Sequence, residues 1–369
     1  MPALGLTIQV RKHGVSVARC PNTFGGLSPP DARTRTLRKG NLAMNFVDEN
    51  RGVAALLEPL GAANTAAVKV PAADFADASP AGRWSQGLDW PDVFWIGLIH
   101  VGALTAPLVF TWKGVLLFVV LSWITGGLGV CLGYHRLLTH GSFQTYPFVR
   151  RSLAILGLLA GEGPPLTWVA VHRRHHQLSD QPGDPHSPRD GRWWSHMLWR
   201  FPRLRQPQHT AMLHRYGADL VKDPFMRFLD TTFIVWHLAL GASLLTVGWC
   251  VWDLRTGLSL LVYGMFLRLA WVLHVTWLVN SASHIWGYRN YEIPDNSRNL
   301  WWVGLLAWGE GWHNNHHAFP GNARHGHRWW EIDMTYLVIY AMEKAGLAGN
   351  VHRATTAGPG PTRQESGEG

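Results

Sequence analysis

Four long apolar stretches dominate the pattern of hydrophobic and polar positions along the chain. They cover residues 93–110, 114–132, 231–252 and 258–278. Each is long enough, at about 1.5 Å per residue, to cross a hydrocarbon core of about 30 Å as a helix. Short polar loops join the first two stretches and the last two. The pattern predicts an all-α integral membrane protein whose four transmembrane helices form two hairpins.

The two ends of the chain show no such pattern. Residues 1–85 lack a sustained apolar period and are rich in Ala, Gly, Pro, Arg and Ser, which predicts a disordered extension. Met44 is an alternative start of the native chain. Residues 351–369 are expected to be a disordered tail, so the folded membrane domain is predicted to cover residues 86–350.

Composition supports the membrane assignment. Apolar residues make up 47% of the chain and charged residues 15%, against roughly 25% charged in soluble domains. The net charge of +9 favours an anionic membrane surface or an acidic protein partner over nucleic acid, because the basic residues lie beside apolar spans. The three cysteines lack C-x-x-C spacing, so neither a disulfide framework nor a thiolate zinc site is predicted.

The candidate chemistry lies in histidines between and after the hairpins. An H-x-x-H-H pattern occurs twice, and a histidine pair and an Asn/His pair accompany it. The candidate metal ligands are His135, His140, His172, His175, His176, Asn280, His284, His313, His316 and His317. This number of imidazoles in repeated spacing makes a metal site the leading hypothesis.

The spacing favours two ions over one. Adjacent histidines are about 100° apart on a helix, so they cannot easily share an ion, whereas the first histidine of each H-x-x-H-H can share one with a later member. His135 and His140 are about 140° apart on a regular helix and need a helix end or two ions. Imidazole accepts zinc, copper, iron or nickel, but nine histidines exceed the four ligands of a structural zinc site. Two iron ions with oxygen chemistry are the preferred interpretation.

An even number of spans separates all the histidine groups, which places them on one side of the membrane. The connection between the hairpins, residues 133–228, is rich in Arg, whereas the two opposite loops contribute only Lys113 and Arg255. By the positive-inside rule the histidines and both termini are expected on the cytoplasmic side.

At these residues the sequence resembles the membrane-bound fatty acid desaturases. The resemblance is greatest to the bacterial and plastid acyl-lipid desaturases that install the first double bond, and it extends to the stearoyl-CoA desaturases. It runs from about Trp90 to Asn350. It rests on the stretches 133–140, 168–176, 184–187, 276–281, 295–299 and 309–320. Three histidine boxes in this order, with four spans between them, are highly specific.

The resemblance implies a di-iron site held by the nine histidines, with Asn280 contributing through a water. It implies that O2 and two electrons remove two hydrogens from a saturated acyl chain and leave a cis double bond, of the delta-9 type. It also implies a kinked substrate tunnel, with Trp168 and Thr276 at the kink and Trp123 and Gly127 limiting chain length.

One departure bears on the substrate. Animal acyl-CoA desaturases carry Arg-Asp immediately before the second box, where this chain has Ala170-Val171. The difference favours an acyl chain on a lipid over an acyl thioester. No His-Pro-Gly-Gly segment of a fused cytochrome b5 is present, so the resemblance implies a separate ferredoxin or cytochrome b5 as electron donor. The basic segment 189–205 is the expected docking surface.

Other polar residues lie outside the candidate ligand set, and some of them have two interpretations. Glu162 and Glu310 either orient ligating imidazoles or cap helix ends. Arg268, inside the last span, is either functional or turned toward the protein interior. His186 is expected either to be structural or to support the ligands from outside the site. His325 and His327 are predicted at the surface.

Two alternative functions remain at this stage. A membrane hydroxylase or acyl oxygenase would use the same irons. A transition-metal transporter or sensor would use the histidines to bind ions, but a transporter should place ligands near the bilayer midplane. Here every histidine group lies at or beyond the cytoplasmic end of a span, which disfavours the transporter.

Overall fold

The computed structural model describes residues 80–353. The predicted extension up to residue 79, including Met44, and the tail from residue 354 lie outside the described residues. Within them the chain is mostly helical, as the apolar pattern predicts. The two short strands β1 (Gln144–Thr145) and β2 (Ala348–Gly349) pair antiparallel, and this pairing ties the end of the described chain to the segment after the first histidine pair.

The first predicted hairpin begins with a helix that is shorter than its apolar stretch. Helix α1 is Pro80–Arg83, and α2 is Trp90–Leu104. The α-helix stops three residues before Pro107, because a proline disfavours helical geometry in the residue before it. A 3₁₀ turn, Ala106–Val109, completes the stretch.

The second helix of this hairpin runs past its predicted end at residue 132. Helix α3, Trp112–Ser122, continues without a break as a π-helix, Trp123–Thr139. Gly129 permits the close packing of this π-helix, since a Cβ there would lie 2.4 Å from the backbone carbon of Leu156. The first histidine pair is thus carried at the end of an apolar helix that is long enough to cross a membrane.

Between the hairpins lies a helical connection. It contains α4 (Pro147–Leu158), α5 (Pro165–Leu178), α6 (Arg192–His196), α7 (Gln206–Tyr216), α8 (Ala218–Val221) and α9 (Pro224–Thr231), with 3₁₀ turns at Pro188–Asp190 and Leu198–Arg200. Helix α4 packs on the π-helix, and α5 carries the second histidine box. The connection is therefore a folded part of the site.

The second hairpin has a tighter turn than the sequence suggests. Helix α10 is Phe233–Val251, and α11 begins at Leu254 because the Asp253 side chain accepts a hydrogen bond from the Thr256 amide at 2.7 Å. The hairpin returns through α11 (Leu254–Leu261), a π-helical segment (Val262–Leu267) and α12 (Arg268–Ile285). The remaining helices are α13 (Trp301–Leu306), α14 (His313–Ala318) and α15 (Met334–Lys344).

Among residues 80–353, three continuous helices are long and apolar enough to cross a membrane. They are Trp112–Thr139, Phe233–Val251 and Leu254–Ile285. Helix α2, with 15 residues, is apolar but shorter. The expectation of a helical membrane protein is confirmed at this level.

Arg268 is turned into the protein interior and is fully buried. Its guanidinium donates to the carbonyl oxygen of Gly264 at 2.6 Å, to Thr125 Oγ1 at 2.8 Å and to the carbonyl oxygen of Leu159 at 2.7 Å. These bonds join the second hairpin to the π-helix of the first and to the end of α4. The inward-facing interpretation of Arg268 therefore matches the structure.

Candidate metal centre

The first histidine pair owes its geometry to the π-helix. The amide of His140 donates to the carbonyl oxygen of His135 at 3.2 Å, a bond between residues five apart. This i→i+5 pattern brings residues five apart onto one face, unlike the α-helix. The two rings lie 4.8 Å apart. Of the two possibilities left open by the sequence, the pair therefore adopts the helix-end geometry that lets both rings face one site.

The second histidine box splits between two sites. Nε2 of His172 and Nε2 of His176, four residues apart on α5, lie 3.1 Å from each other. His175 points elsewhere, and its Nε2 lies 3.4 Å from Nε2 of His317. The adjacent histidines thus face different sites, as their angular separation on a helix requires.

The third box repeats this division on α14. Nε2 of His316 lies 3.1 Å from Nε2 of His135 and 2.9 Å from Nε2 of His176. The ring of His313 lies 4.3 Å from that of His317 and 4.9 Å from that of His284. His316 and His317 consequently belong to two separate groups.

The nine histidines form two adjacent clusters. The five-histidine cluster comprises His135, His140, His172, His176 and His316, and the four-histidine cluster comprises His175, His284, His313 and His317. Within each cluster, one nitrogen per ring lies within 4.8 Å of all the others. The rings of His176 and His317, one from each cluster, are 4.6 Å apart, so two bound ions would be neighbours.

The clusters fit metal ions by three independent criteria. Both ring nitrogens of His140 and of His313, and Nε2 of His284, are buried and have no hydrogen-bond partner among the described residues. Such groups are costly to bury unless something binds them. Burial holds the pKa values of His140, His313 and His316 well below the usual value. Neutral imidazole is the ligating form.

Carboxylates fix the outer nitrogens of four of these rings. The Nδ1 contacts are His135 to Glu310 at 2.8 Å, His175 to Asp184 at 2.9 Å, His284 to Asp180 at 3.0 Å and His317 to Asp295 at 2.7 Å. A carboxylate that accepts from Nδ1 leaves Nε2 to face the ion and fixes the ring's orientation. This arrangement is the third criterion.

Of these four carboxylates, Glu310 is the one that the sequence analysis named as a candidate for orienting an imidazole. Its Oε1 accepts from Nε and Nη2 of Arg136, each at 3.1 Å, while Oε2 faces His135. Burial acts to raise the pKa of Glu310, but the guanidinium and the nearby imidazoles hold it well below the usual value. Glu310 is therefore ionised and orients His135.

The prediction that His325 lies at the surface is wrong. His325 is only 1% exposed, its Nδ1 lies 3.0 Å from Oε2 of Glu310, and its ring centroid is 4.4 Å from that of His316. The chain folds back after α14 because the amide of His325 donates to Asp333 at 2.7 Å. His327 is also not fully exposed, and its Nδ1 bonds the hydroxyl of Tyr291 at 2.9 Å.

His186 lies beside the four-histidine cluster. Its ring centroid is 4.3 Å from that of His175, and its amide donates to Oδ1 of Asp184 at 3.1 Å. Asp184 thus contacts both residues, which matches the expectation that His186 supports the site from outside.

A cavity with about 780 Å³ of empty space adjoins both clusters, and we call it the inner cavity. Its lining includes His135 and His172 of the five-histidine cluster and His313 of the four-histidine cluster. Asn280 lines the same space, one helical turn before His284.

Two of the predicted tunnel residues line the inner cavity, and a buried acid joins them. Glu162 accepts from Nε1 of Trp168 at 2.8 Å, and its other oxygen lies 2.5 Å from the hydroxyl of Thr276. Glu162 thus contacts an indole and a hydroxyl, and neither predicted role, imidazole orientation or helix capping, is seen. Burial raises the pKa of Glu162 to about 7, although both hydrogen bonds act to lower it.

The other two predicted tunnel residues lie elsewhere. The ring of Trp123 covers Gly127, where a Cβ would come within 2.4 Å of the indole. Trp123 lines a second, apolar space outside the inner cavity. The four residues are therefore not brought into one cavity.

Comparison with known proteins agrees with this arrangement. The fatty acid desaturase family matches residues 90–348, which include every histidine of both clusters. The sn-1 stearoyl-lipid 9-desaturase of Anabaena variabilis is 47% identical over 270 residues, covering 72% of this chain and 95% of that protein.

Two further relatives differ in the substrate that their names give. The sn-2 palmitoyl-lipid 9-desaturase of Nostoc sp. is 41% identical over 280 residues, covering 76% of this chain and 95% of that protein. The acyl-CoA 5-desaturase AL21 of Anemone leveillei is 40% identical over 288 residues, covering 77% of this chain and 87% of that protein. By its family match and these relatives, the chain belongs to the fatty acid desaturase family.

Proposed function

We propose that this enzyme inserts the first cis double bond, of the delta-9 type, into a saturated acyl chain of a membrane lipid, using O2 and an external electron donor. The observation that carries the proposal is the inner cavity, whose walls include His135, His172 and His313. An acyl chain in this space would pass directly beneath both histidine clusters.

The two clusters are proposed to hold two iron ions. The five-histidine cluster supplies five ligands to one ion, and the four-histidine cluster supplies four to the other, with Asn280 placed to contribute through a water. When bound, the irons supply the activation of O2 needed to remove two hydrogens from adjacent methylenes. The buried carboxylates face Nδ1 of four of these imidazoles, which leaves Nε2 directed toward the ion and fixes the orientation of those rings.

The protein's own part in the reaction is to position the chain and exclude water. Trp168 and Thr276, held by Glu162, form part of the cavity wall beside His172 and are proposed to fix the bend of the bound chain. Precise orientation of a reacting group contributes strongly to rate. Trp123 and Gly127 are proposed to limit the length of chain accepted.

A lipid-linked chain is the preferred substrate. Ala170 is buried and Val171 lines the inner cavity, so the pair before the second box offers no charge to a coenzyme A phosphate. The Anabaena and Nostoc relatives are named for lipid substrates. The Anemone relative, named for acyl-CoA, makes the thioester the comparison substrate in any assay.

We further propose that residues 86–350 form one membrane domain with four spans. Helix α2 and its 3₁₀ turn together reach about 30 Å, at about 1.5 Å and 2.0 Å per residue respectively. Lys113 and Arg255 are the cations of the two loops opposite the histidines. The bias toward Arg on the histidine side supports placing that side and both termini in the cytoplasm.

The electron donor is proposed to dock on the basic segment 189–205. Arg189, Arg192, Arg203 and Arg205 are exposed there, while Trp199 and Arg200 of the same segment line the inner cavity. An acidic ferredoxin or cytochrome b5 would be attracted by this charge and would sit close to the clusters.

Expression in a host that lacks unsaturated acyl chains tests the function. With a ferredoxin, its reductase and iron supplied, the protein should produce a monoene in the host lipids, and a His313→Ala variant should not. Hydroxy acids in place of a monoene would indicate a hydroxylase. An iron-loaded protein that leaves the lipids unchanged would contradict the proposal.

A further inference from the structure

A single indole lies between the inner cavity and the apolar space outside it. Trp308 lines both spaces. Its ring lies against Gly126 of the π-helix, where a Cβ would come within 2.3 Å of the indole. Trp308 is therefore a wall shared by the two spaces.

The outer space, which we call the outer groove, holds about 1,320 Å³ of empty volume. Its walls come from the spanning helices α3 and α12 and from the helices α13 and α15. They include Phe118, Trp123, Trp271, Leu305, Leu337 and Ala341. Leu305 and Leu337 are exposed, and Ser122 is the only hydroxyl in the lining, so the groove suits hydrocarbon.

The backbone of Trp308 is held by hydrogen bonds, and its side chain packs against a glycine. Trp308 has a φ of 51°, in the left-handed region that non-glycine residues seldom adopt. Its carbonyl oxygen accepts from the amide of Thr335 at 3.0 Å and from the hydroxyl of Thr335 at 2.8 Å. Because Gly126 presents no side chain, the indole packs directly against this position of the π-helix.

We propose that Trp308 is a movable partition and that the outer groove receives the methyl end of acyl chains too long for the inner cavity. This inference rests on the proposed function and adds a residue that sets chain length. The occupant proposed for the groove is the acyl chain of the inner cavity, because Trp308 lines both spaces. The apolar walls exclude a polar headgroup from this space.

The test compares chain-length profiles. Wild type and Trp308→Ala are expressed in the same unsaturated-deficient host, fed saturated acids of 16 to 22 carbons, and the monoenes are quantified. Trp308→Ala should raise the ratio of 20-carbon to 18-carbon product by at least about tenfold, because these chains differ by two methylenes and one methylene in an apolar pocket is worth about tenfold or more. Adding Ala341→Trp, which fills the outer groove, should return the ratio of 20-carbon to 18-carbon product toward the wild-type value.

Trp301→Ala removes an exposed indole that lines neither space and should leave the profile unchanged. An unchanged profile in Trp308→Ala, or a gain that Ala341→Trp does not reverse, would overturn the partition. Absence of product in wild type would instead overturn the proposed function.

A second readout does not need turnover and applies if Trp308→Ala is inactive. A 20-carbon saturated lipid with a photoreactive diazirine at its methyl end is crosslinked to purified protein, and the labelled peptides are identified by mass spectrometry. Labelling of α15 should rise in both Trp308→Ala and Trp308→Phe relative to wild type. Equal labelling in all three would indicate ordinary bilayer lipid in the groove and overturn the proposal.

Discussion

Oε2 of Glu310 lies 2.8 Å from Nδ1 of His135, while Oε1 of the same carboxylate accepts from Arg136. The contact links a buried guanidinium to a proposed iron ligand through one carboxylate. It determines which nitrogen of His135 faces the five-histidine cluster, because the other nitrogen faces the carboxylate. The strength of metal binding should therefore depend on a residue that is not itself a ligand.

Glu310→Gln should weaken iron binding by about 10- to 100-fold, the usual cost of losing a carboxylate behind a ligating imidazole. The measurement is the iron retained by purified protein during dialysis against increasing concentrations of a chelator. Glu343→Gln is the matched control, since Glu343 pairs with Arg353 on the surface of α15. Equal retention by both variants would contradict an orienting role for Glu310.

Arg136→Met should lower the free energy of unfolding by about 3–5 kcal/mol, because it leaves buried carboxylates without their cation. Arg136 is fully buried and contacts both Glu310 and Asp333, the latter at 2.9 Å. Denaturant unfolding of protein in detergent micelles measures the loss. Arg192→Met, at an exposed position, should change stability by less than about 0.5 kcal/mol. Similar values for the two variants would show that the buried network is not stabilising.

Glu162→Gln should remove a pH dependence of stability. The folded state raises the pKa of Glu162 from 4.5 to about 7, so folding favours the protonated acid. Ionisation of Glu162 therefore lowers the free energy of unfolding of the wild type. This loss is absent below pH 4.5, grows as the pH rises, and reaches about 3 kcal/mol above pH 7, at 1.36 kcal/mol per pKa unit. Unfolding of both proteins between pH 4.5 and 8.5 measures it. A difference between them that stays constant with pH would count against the raised pKa.

The histidine spacing identified the ligand candidates because it is a local property of the chain. On a helix, residues four apart share a face and adjacent residues do not, so the separation of His316 from His317 could be predicted. The closeness of His135 and His140 could not, since the π-helix depends on packing. Gly129 of the π-helix packs against the backbone of Leu156, and this contact could not be predicted from the local sequence.

For a similar reason, the sequence does not predict most of the carboxylates that contact Nδ1 of the histidines. Asp180 lies 104 positions from His284, and Asp295 lies 22 from His317. His325 was assigned to the surface because a polar loop follows the third box, and its burial arises from the contact with Asp333. Asp184 and Asp295 fall within stretches that carry the family resemblance, which was the one available signal for them.

The two clusters should lose iron independently when one ligand is removed. His317→Ala disturbs the four-histidine cluster and His316→Ala the five-histidine cluster, so each variant should retain about half of the wild-type iron if the sites are separate. His214→Ala, at an exposed histidine, should retain all of it. Metal analysis of the purified variants makes the comparison. Full iron content in either cluster variant would remove that histidine from the ligand set.

The proposed mechanism requires that the nine histidines hold two irons beside a cavity for an acyl chain. The most direct measurement is the iron-to-protein ratio of purified, catalytically active wild-type enzyme, determined by elemental analysis alongside amino-acid quantification. We expect two irons per chain. An active preparation that holds one iron per chain, or that holds zinc in place of iron, would contradict it.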